Sequence, residues 1–459
     1  MDWAGKNACV IGLGRSGISA AELLLQQGAT VTAVDNTDTC VLQQTAAALT
    51  EKGATCRLGV DEIPDAFDLA VISPGVPLAL PMVASLRSRG VQIWGEMELG
   101  WRFTECPVIA ITGTNGKTTT TEWVASLLSQ AQCRTVASGN IGTPLCTVVS
   151  QTRELDAVTL EVSSFQLETI ADFRPAIGVL LNLAPDHLDR HGSMGKYIRA
   201  KARLFENQKP IDYAIVQLEA LRELEKLDLS PPSKIITFSA TDASADLHMD
   251  RRLLVSQLPG WPGPLLDLDE WAIDGLHNAE NLMATFAVGY CQKISVDKIK
   301  ATMSRSHVGP HRCEIVAEIG GVRFVNDSKA TNVHALCGAL QSMPTGNSQK
   351  NIWLIAGGQD KGLDFLAAGP EIARRVKGAF LIGEAREQIL GDWTLFSPCK
   401  TVANLLEAVA EARRKAVPGD VVLLSPACAS FDQFDSYEHR GREFCQAIVG
   451  LNTGTRTDD

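Results

Sequence analysis

The chain has 459 residues, of which 45% are hydrophobic, and a formal net charge of −11 at pH 7. Proteins that bind a nucleic-acid backbone usually present a basic surface, so this charge argues against nucleic acid as a partner. At roughly 150 residues per domain, the length predicts about three domains with separate cores.

The twelve cysteines and the N-terminal segment bear on the cellular compartment. The cysteines include no C-x-x-C pair and no His/Cys spacing typical of zinc sites, so we expect free thiols. The first residues lack the charged start and long apolar core of a secretory signal, and no apolar run of about 18 residues follows. We therefore expect a cytoplasmic protein without membrane insertion.

Apolar strand patterns alternate with helical patterns in three stretches of the chain, which predicts βαβ units and parallel sheets. The first stretch covers residues 6–94, the second opens at residue 106, and the third follows residue 309. The proline-rich segment 227–275 instead indicates irregular or short antiparallel structure. We predict an α/β fold of three domains at residues 1–93, 94–305 and 306–459, of which the first and third are Rossmann-like.

The first glycine-rich turn, at residues 12–17, follows a predicted strand and opens a helix, and Asp35 ends the next strand. This spacing is typical of a dinucleotide site. However, glycines only permit close backbone approach, and a helix N-terminus offers N–H groups to any phosphate. NAD and another nucleotide diphosphate, such as a UDP-sugar, therefore stay equally open, with a purely structural turn as the third interpretation.

The second glycine-rich loop lies between the predicted strand PVIAIT and a helical pattern at residues 122–130. The residues expected to surround nucleotide phosphates are Gly113, Thr114, Asn115, Gly116, Lys117, Thr118 and Thr119. Lys117 can neutralise phosphate charge, and the Thr118 hydroxyl can bind Mg²⁺. Ile111 stands where the usual phosphate-loop pattern begins with glycine, which disfavours the general P-loop families. We predict a P-loop-type ATPase domain at residues 94–305.

Two polar residues that follow buried-type strands are candidate Mg²⁺ ligands. Glu161 ends the strand DAVTLEV, and ligands of open parallel sheets bind beyond the carboxyl ends of strands. The apolar flanks Leu160 and Val162 disfavour the alternative of a solvated glutamate. His187 lies in NLAPDHLD, where a ligand to a second Mg²⁺, a substrate contact and a structural histidine stay open.

Lys201 interrupts an apolar stripe at helical spacing within the pattern at residues 196–207. The apolar members of the stripe are Tyr197, Ile198, Leu204 and Phe205. Burial would favour the neutral amine of Lys201, which can react with carbon dioxide to form an anionic carbamate. The alternative, favoured by the residues alone, is a lysine that snorkels out of the stripe to solvent.

Motifs in a fixed order along the chain resemble those of the Mur ligases. In sequence order they read GTNGKT, LEVSSFQLE, DHLDRHG, RAKARLF, GLHNAEN, GPHRCE, NDSKATN, GGQDKG and SPACASFDQF. Within the family, SSFQLE, NDSKATN and SPACASFDQF look most like the D-glutamate-adding members. The resemblance implies that ATP phosphorylates the carboxylate of UDP-N-acetylmuramoyl-L-alanine and that the amine of D-glutamate attacks the acyl phosphate, in cytoplasmic synthesis of peptidoglycan precursors.

The resemblance also implies roles for residues at the ATP site. It implies ATP with two Mg²⁺ ions, and a carbamylated lysine at Lys201. The residues implied to be catalytic are Lys117, Asn140, His187, Lys201 and Lys329. The implied metal ligands are Thr118, Glu161, His187 and Lys201. Asn281 would contact the adenine, Arg312 the phosphate and Asp327 the ribose of ATP.

Two further pockets follow from the resemblance, each with a departure from the family pattern. The implied UDP-substrate residues in the N-terminal domain and the adjoining loop are Ser16, Asp35, Ser73, Gly75 and Asn140. The implied D-glutamate residues in the C-terminal domain are Thr331, Lys361, Ser430 and Phe431. Thr37 stands where the family often has arginine, and Asp435 and Tyr437 follow SFDQF.

Three rival interpretations remain at this point. An NAD-dependent oxidoreductase would use the first glycine-rich turn but leaves residues 113–120 unexplained. A non-catalytic nucleotide-binding regulator has no need for Lys201, His187 and Lys329 together. A sister ligase that adds another amino acid, or a folate-type glutamate ligase, would differ in its substrate. We expect a monomer.

Overall fold

A computed structural model describes residues 3–63, 65–140, 142–270, 275–306, 309–345 and 350–453. The chain divides into two compact units. The first unit comprises Met1–Asn182, Ile198–Leu266 and Asn281–Ser304. The second unit comprises Leu183–Tyr197, Asp267–Glu280 and Arg305–Asp459.

The N-terminal sheet has five parallel strands in the order β3-β2-β1-β4-β5. The strands are β1 (Asn7–Ile11), β2 (Thr30–Val34), β3 (Thr55–Arg57), β4 (Leu69–Ile72) and β5 (Gln92–Gly95). The helices are α1 (Arg15–Gln26), α2 (Cys40–Glu51), α3 (Pro81–Ser88) and α4 (Glu96–Phe103). Neighbouring residues of β1 belong to different cores, with Ala8 and Val10 in one and Cys9 and Ile11 in the other. Both faces are buried, which explains the continuous apolar strands.

The central sheet has nine strands in the order β14-β13-β12-β11-β10-β9-β6-β8-β7. The strands are β6 (Val108–Thr112), β7 (Thr135–Gly139), β8 (Ala157–Glu161), β9 (Ile177–Leu180), β10 (Tyr213–Gln217), β11 (Lys234–Ser239), β12 (Leu247–Asp250), β13 (Leu253–Ser256) and β14 (Gly263–Asp267). The run from β11 through β10, β9, β6 and β8 to β7 is parallel. The pair β12 and β13 is antiparallel, as predicted for the proline-rich segment.

The helices that follow the central strands run from α5 to α12. They are α5 (Lys117–Gln130), α6 (Leu145–Val148), α7 (Ser164–Leu167), α8 (Leu188–His191), α9 (Met194–Ala202), α10 (Leu218–Glu225), α11 (Leu276–Cys291) and α12 (Val296–Met303). The helical pattern at residues 196–207 is only partly an α-helix, because α9 ends at Ala202 and a 3-10 turn covers Arg203–Phe205. The predicted extent of that helix was therefore wrong at its C-terminus.

The third sheet has six strands in the order β15-β16-β20-β17-β18-β19. The strands are β15 (Glu314–Ile319), β16 (Val322–Asn326), β17 (Ile352–Gly357), β18 (Val376–Ile382), β19 (Cys399–Thr401) and β20 (Val421–Leu424). The helices are α13 (Val333–Ser342), α14 (Gly369–Arg375), α15 (Arg386–Trp393), α16 (Leu405–Lys415) and α17 (Tyr437–Thr453). Only β15 pairs antiparallel among the strand pairs described here.

The three sheets confirm the predicted α/β class and the three-sheet layout. All twelve cysteines are free thiols, as expected. No helix within the described ranges has the length and apolar character needed to cross a bilayer.

Candidate active site

The loop after β6 takes its shape from Gly116. Gly116 has φ 84°, a left-handed conformation that glycine adopts without strain, and it caps the N-terminus of α5. A Cβ atom at this position would lie 2.2 Å from Asn281 Oδ1, so the side chain of any other residue would collide. The first unit thus brings Asn281, implied to contact adenine, against the loop expected to hold the phosphates.

Asn182 fixes the same loop from the neighbouring strand. Its Oδ1 accepts a hydrogen bond from Asn115 N at 2.9 Å, and its Nδ2 donates to Asn115 O at 3.1 Å. Its carbonyl oxygen accepts from Thr114 N at 3.1 Å. These bonds lie beyond the carboxyl ends of β6 and β9, where open parallel sheets bind ligands. This role of Asn182 was not predicted from the sequence, in which the signal is the position of Asn182 after a buried strand.

Two lysine side chains converge on the carbonyl oxygen of Gly113. Lys117 Nζ donates to Gly113 O at 2.9 Å and to Thr114 O at 2.7 Å. Lys201 Nζ donates to Gly113 O at 2.7 Å and to Thr112 Oγ1 at 3.3 Å. Lys201 is 1% exposed, so the snorkelling alternative is wrong. Two lysine side chains therefore lie beside this loop.

Glu161 is the last residue of β8, and only one oxygen of its buried carboxylate has a hydrogen-bond partner among the described residues. Its Oε1 accepts from Asn140 Nδ2 at 2.7 Å, and the backbone N of Asn140 donates to Glu161 O at 2.9 Å. Its Oε2 is buried without a hydrogen-bond partner among the described residues. A buried carboxylate oxygen normally has a partner, so a cation ligand fits this atom. Asn140 and Glu161, predicted separately, are thus brought together.

The described residues include no group of three or more His, Cys, Asp or Glu side chains arranged to hold a metal ion. The implied metal ligands are also divided between the units. Thr118, Glu161 and Lys201 belong to the first unit, and His187 belongs to the second. The donor set in the first unit suits Mg²⁺ shared with nucleotide phosphates, since Mg²⁺ is usually bound by few protein oxygens together with phosphates and water.

Asp35 and Ser73 hold the first glycine-rich turn together. Asp35 Oδ2 accepts from Leu13 N at 2.9 Å, and Asp35 Oδ1 accepts from Thr37 N at 3.0 Å and from Thr37 Oγ1 at 2.8 Å. Ser73 Oγ donates to Gly12 O at 2.8 Å. Both residues were predicted as substrate contacts. In the structure they shape the turn that would receive the substrate.

The other residues predicted for the UDP site surround this turn and the loop after β7. Ser16 is half-buried at the start of α1, and Gly75 is exposed after β4. Arg15 Nη1 donates to Gly142 O at 3.1 Å, which links the turn to the loop that carries Asn140. This hydrogen bond connects the two loops within the first unit.

Asp327 is buried at the end of β16 in the second unit. Its Oδ2 accepts from Ser425 Oγ at 2.8 Å, and its Oδ1 accepts from Cys313 N at 3.2 Å. Burial raises the pKa of the Asp327 carboxyl to about 7, and the bond from Ser425 opposes this rise. Asp327 thus connects the residue before β15 to the residue after β20. Arg312, which precedes Cys313 in the chain, is half-buried.

Asp186 was not singled out from the sequence, yet several predicted site residues meet it in the second unit. Its Oδ1 lies 3.3 Å from Lys361 Nζ, and its Oδ2 accepts from Asn332 Nδ2 at 3.2 Å. His187 N donates to Asp186 Oδ1 at 3.0 Å. His187 has φ 53°, an uncommon backbone conformation for a residue with a side chain, and such residues cluster at functional sites.

The remaining predicted residues of the second unit lie in two segments. Lys329 and Thr331 are half-buried between β16 and α13, and Ser430 is 1% exposed before α17. Phe431 is 70% exposed. These two segments are tied together by Arg440, which was not predicted. Its side chain is 0% exposed and donates to the carbonyl oxygens of Ser328, Cys428 and Ala429 at 2.9, 3.1 and 3.2 Å.

Three family models match successive parts of the chain. They describe a Mur ligase MurD-like N-terminal domain at residues 6–95, a Mur ligase middle domain at residues 111–289 and a Mur ligase glutamate ligase domain at residues 311–428. Each match covers one of the three sheets.

Similar proteins span nearly the same length. A relative from Pelotomaculum thermopropionicum named UDP-N-acetylmuramoylalanine--D-glutamate ligase is 39% identical over 99% of both chains. A relative of the same name from Koribacter versatilis is 40% identical over 98% of both chains. A solved structure of MurF ligase from Thermotoga maritima in complex with ADP has a TM-score of 0.59 at 14% identity, covering 92% of this chain and 96% of that one. The chain therefore belongs to the Mur ligase family.

Proposed function

We propose that this chain joins D-glutamate to UDP-N-acetylmuramoyl-L-alanine and converts ATP to ADP and phosphate. The observation that carries the proposal is the pair of lysine side chains at Gly113, on a loop beside a buried glutamate with one unpartnered oxygen. The choice of substrates is supported by the names of the full-length relatives. The ADP in the related MurF structure supports the nucleotide.

In the first step, an oxygen of the substrate carboxylate attacks the terminal phosphorus of ATP. The bond between that phosphorus and the bridging oxygen breaks, and ADP leaves. Phosphoryl transfer needs alignment and charge neutralisation more than covalent help from the protein. Lys117 would move from the loop carbonyls to the phosphates, and Lys329 would neutralise the phosphoryl oxygens. Arg312 would contact the phosphate, and Asn281 the adenine.

Mg²⁺ would neutralise charge on the phosphates when bound. Glu161 Oε2 and the hydroxyl of Thr118 are the atoms in the first unit that we propose as ligands, and His187 is the proposed ligand in the second unit. We also propose that Lys201 is carbamylated, because its buried amine lies beside the phosphate loop and a carbamate would supply a further anionic ligand. Asn140 would hold the carboxylate of Glu161 in place.

In the second step, the amine of D-glutamate attacks the carbonyl carbon of the acyl phosphate. The amide bond forms, phosphate leaves with one oxygen of the original carboxylate, and the amine loses a proton. Lys361, Thr331, Ser430 and the segment at Phe431 would bind the two carboxylates of D-glutamate, since cations and hydroxyls suit that charge. Asp186 would hold Lys361 at the correct position.

The nucleotide end of the acceptor would bind in the N-terminal domain. Ser16, Ser73 and Gly75 lie at the glycine-rich turn, where N–H groups at the start of α1 can meet a diphosphate. Asp35 shapes this turn. We keep the proposed domains at residues 1–93, 94–305 and 306–459, a cytoplasmic location and a monomeric state as parts of the proposal.

An amino-acid screen tests the proposal. Purified protein is supplied with ATP, Mg²⁺ and UDP-N-acetylmuramoyl-L-alanine, and phosphate release is followed for each added amino acid. We expect release with D-glutamate and little with L-glutamate or other amino acids. Preference for another amino acid would identify a sister ligase, and activity on a folate acceptor would identify a folate-type ligase. Tight NAD binding without phosphate release would favour the oxidoreductase.

A further inference from the structure

The ring of Tyr437 lies against the ammonium of Lys329. Lys329 Nζ is 3.9 Å from the centre of the Tyr437 ring. An ammonium in this position is attracted by the negative face of the aromatic ring. Lys329 was predicted to act at the reacting centre, whereas Tyr437 was noted only as a residue that follows SFDQF. The contact gives Tyr437 a direct physical connection to a catalytic candidate.

The backbone around Tyr437 is anchored to the segment that carries Lys329. Ser328, the residue before Lys329, donates from Oγ to Tyr437 O at 2.8 Å. Arg440, one turn farther along α17, donates to Ser328 O at 2.9 Å and to Ser328 Oγ at 3.0 Å. These hydrogen bonds fix the start of α17 relative to the segment that carries Lys329, and the Tyr437 ring faces the Lys329 ammonium.

The ring of Tyr437 also contacts an aromatic neighbour. His311 meets the Tyr437 ring edge-on, with ring centroids 6.3 Å apart. The carbonyl oxygen of His311 accepts from Lys329 N at 3.1 Å, so His311 also contacts the backbone of the lysine. Asn326 Nδ2 lies 2.9 Å from His311 Nδ1 and holds the imidazole in place. The ring and the lysine are thus supported by the same neighbours.

We propose that Tyr437 is a positioning residue for Lys329. The face of its ring holds the ammonium in the orientation from which Lys329 reaches the transferred phosphoryl group, an inference that rests on the proposed function. Because the ring acts through Lys329, its loss should affect turnover more than substrate binding. The phenol hydroxyl is not required, since the attraction comes from the ring face.

Two substitutions distinguish the contribution of the Tyr437 ring from that of its hydroxyl. Tyr437→Leu removes the aromatic face and keeps an apolar side chain, and Tyr437→Phe keeps the face. We expect Tyr437→Leu to lower kcat by roughly twofold to thirtyfold, the range of a cation–π contact, with little change in KM for ATP or D-glutamate. We expect Tyr437→Phe to retain most of the wild-type kcat.

Tyr213 offers a matched control outside the site. Lys234 Nζ lies 5.1 Å from the centre of the Tyr213 ring, so Tyr213→Leu removes a similar lysine–tyrosine pair from the first unit. We expect Tyr213→Leu to leave kcat unchanged. Thermal melting and ATP binding would be measured for every variant, so that a folding defect in Tyr437→Leu is distinguished from a loss of turnover.

A double-variant cycle tests whether the ring acts through the lysine. In a Lys329→Ala background, Tyr437→Leu should cause little further loss of kcat, because residues that act as one unit are not additive. A Tyr437→Phe variant as slow as Tyr437→Leu, or a Tyr437→Leu variant with wild-type kcat, would overturn the proposal. A wild-type chain without ligase activity would instead overturn the proposed function.

Discussion

Replacing Glu161 with glutamine should stabilise the protein and abolish its activity. Glu161 is 1% exposed, and its Oε2 has no hydrogen-bond partner among the described residues. A buried carboxylate oxygen without a hydrogen-bond partner has lost its contact with water and gained no protein contact in return. Functional sites commonly trade stability for such an arrangement.

The expected gain in the free energy of unfolding follows from the hydrogen bonds of the Glu161 carboxylate. The bond from Asn140 Nδ2 to Oε1, at 2.7 Å, can be kept by the carbonyl oxygen of a glutamine. The second position then carries a neutral NH₂ group instead of an unpartnered carboxylate oxygen. An unsatisfied buried neutral group costs about 1–3 kcal/mol and a charged one costs more, so the exchange is favourable. We expect Glu161→Gln to raise the free energy of unfolding by about 1 kcal/mol, which corresponds to about 2 °C in Tm for a domain of about 200 residues.

The assay compares wild type and Glu161→Gln by thermal melting with and without Mg²⁺ and nucleotide, and by phosphate release. Mg²⁺ should raise the Tm of the nucleotide-bound wild type and have little effect on the variant. Turnover should fall by about two orders of magnitude or more, as for lost electrostatic stabilisation in other enzymes. Glu105→Gln, at an exposed glutamate paired with Arg153, is the control. A fully active Glu161→Gln with an unchanged Mg²⁺ requirement would refute the reasoning.

Three other substitutions have defined expected outcomes. Gly116→Ala should weaken ATP binding and lower the free energy of unfolding by about 1–3 kcal/mol, because a Cβ would lie 2.2 Å from Asn281 Oδ1. ATP binding at the wild-type level, measured by calorimetry, would contradict this. Lys201→Ala should be nearly inactive and partly restored by small carboxylates such as acetate, which fit the space of the lost side chain; normal activity without additives would exclude a carbamate. Burial raises the pKa of Glu96 from 4.5 to about 7, so the folded protein retains a proton that the unfolded chain releases. The free energy of unfolding should therefore fall as pH rises from about 4.5 to 7. Glu96→Gln should make the plot of Tm against pH flatter over this range. Equal slopes for the wild type and the variant would contradict the prediction.

The local sequence pattern was sufficient to predict site residues that lie in or next to regular strands and helices. The glycine-rich loop between β6 and α5 was predicted because a strand, a turn and a helix follow one another directly in the sequence. Glu161 was predicted to be buried from its apolar flanks, and it is 1% exposed. The stripe around Lys201 predicted the correct face of α9. It did not show that the helix tightens to a 3-10 turn at Arg203–Phe205, since apolar spacing at three and four residues fits both forms.

Residues that act through distant contacts left little local signal. Asn182 holds Asn115 across 67 positions, and Asp186 meets Asn332 across 146. The sequence pattern around a single asparagine or aspartate after a strand carries no information about a partner that is distant in the chain. Asp35 accepts hydrogen bonds from Leu13 and Thr37, because a carboxylate at a strand end can satisfy backbone N–H groups. Its contact with the substrate stays a prediction.

Transfer of oxygen from the acceptor to phosphate tests the central claim most directly. UDP-N-acetylmuramoyl-L-alanine labelled with ¹⁸O in its alanine carboxylate is incubated with the protein, ATP, Mg²⁺ and D-glutamate, and the released phosphate is examined by mass spectrometry. The proposed acyl phosphate predicts one labelled oxygen in each phosphate for each amide bond formed. Phosphate that carries no label while the amide accumulates would contradict the account.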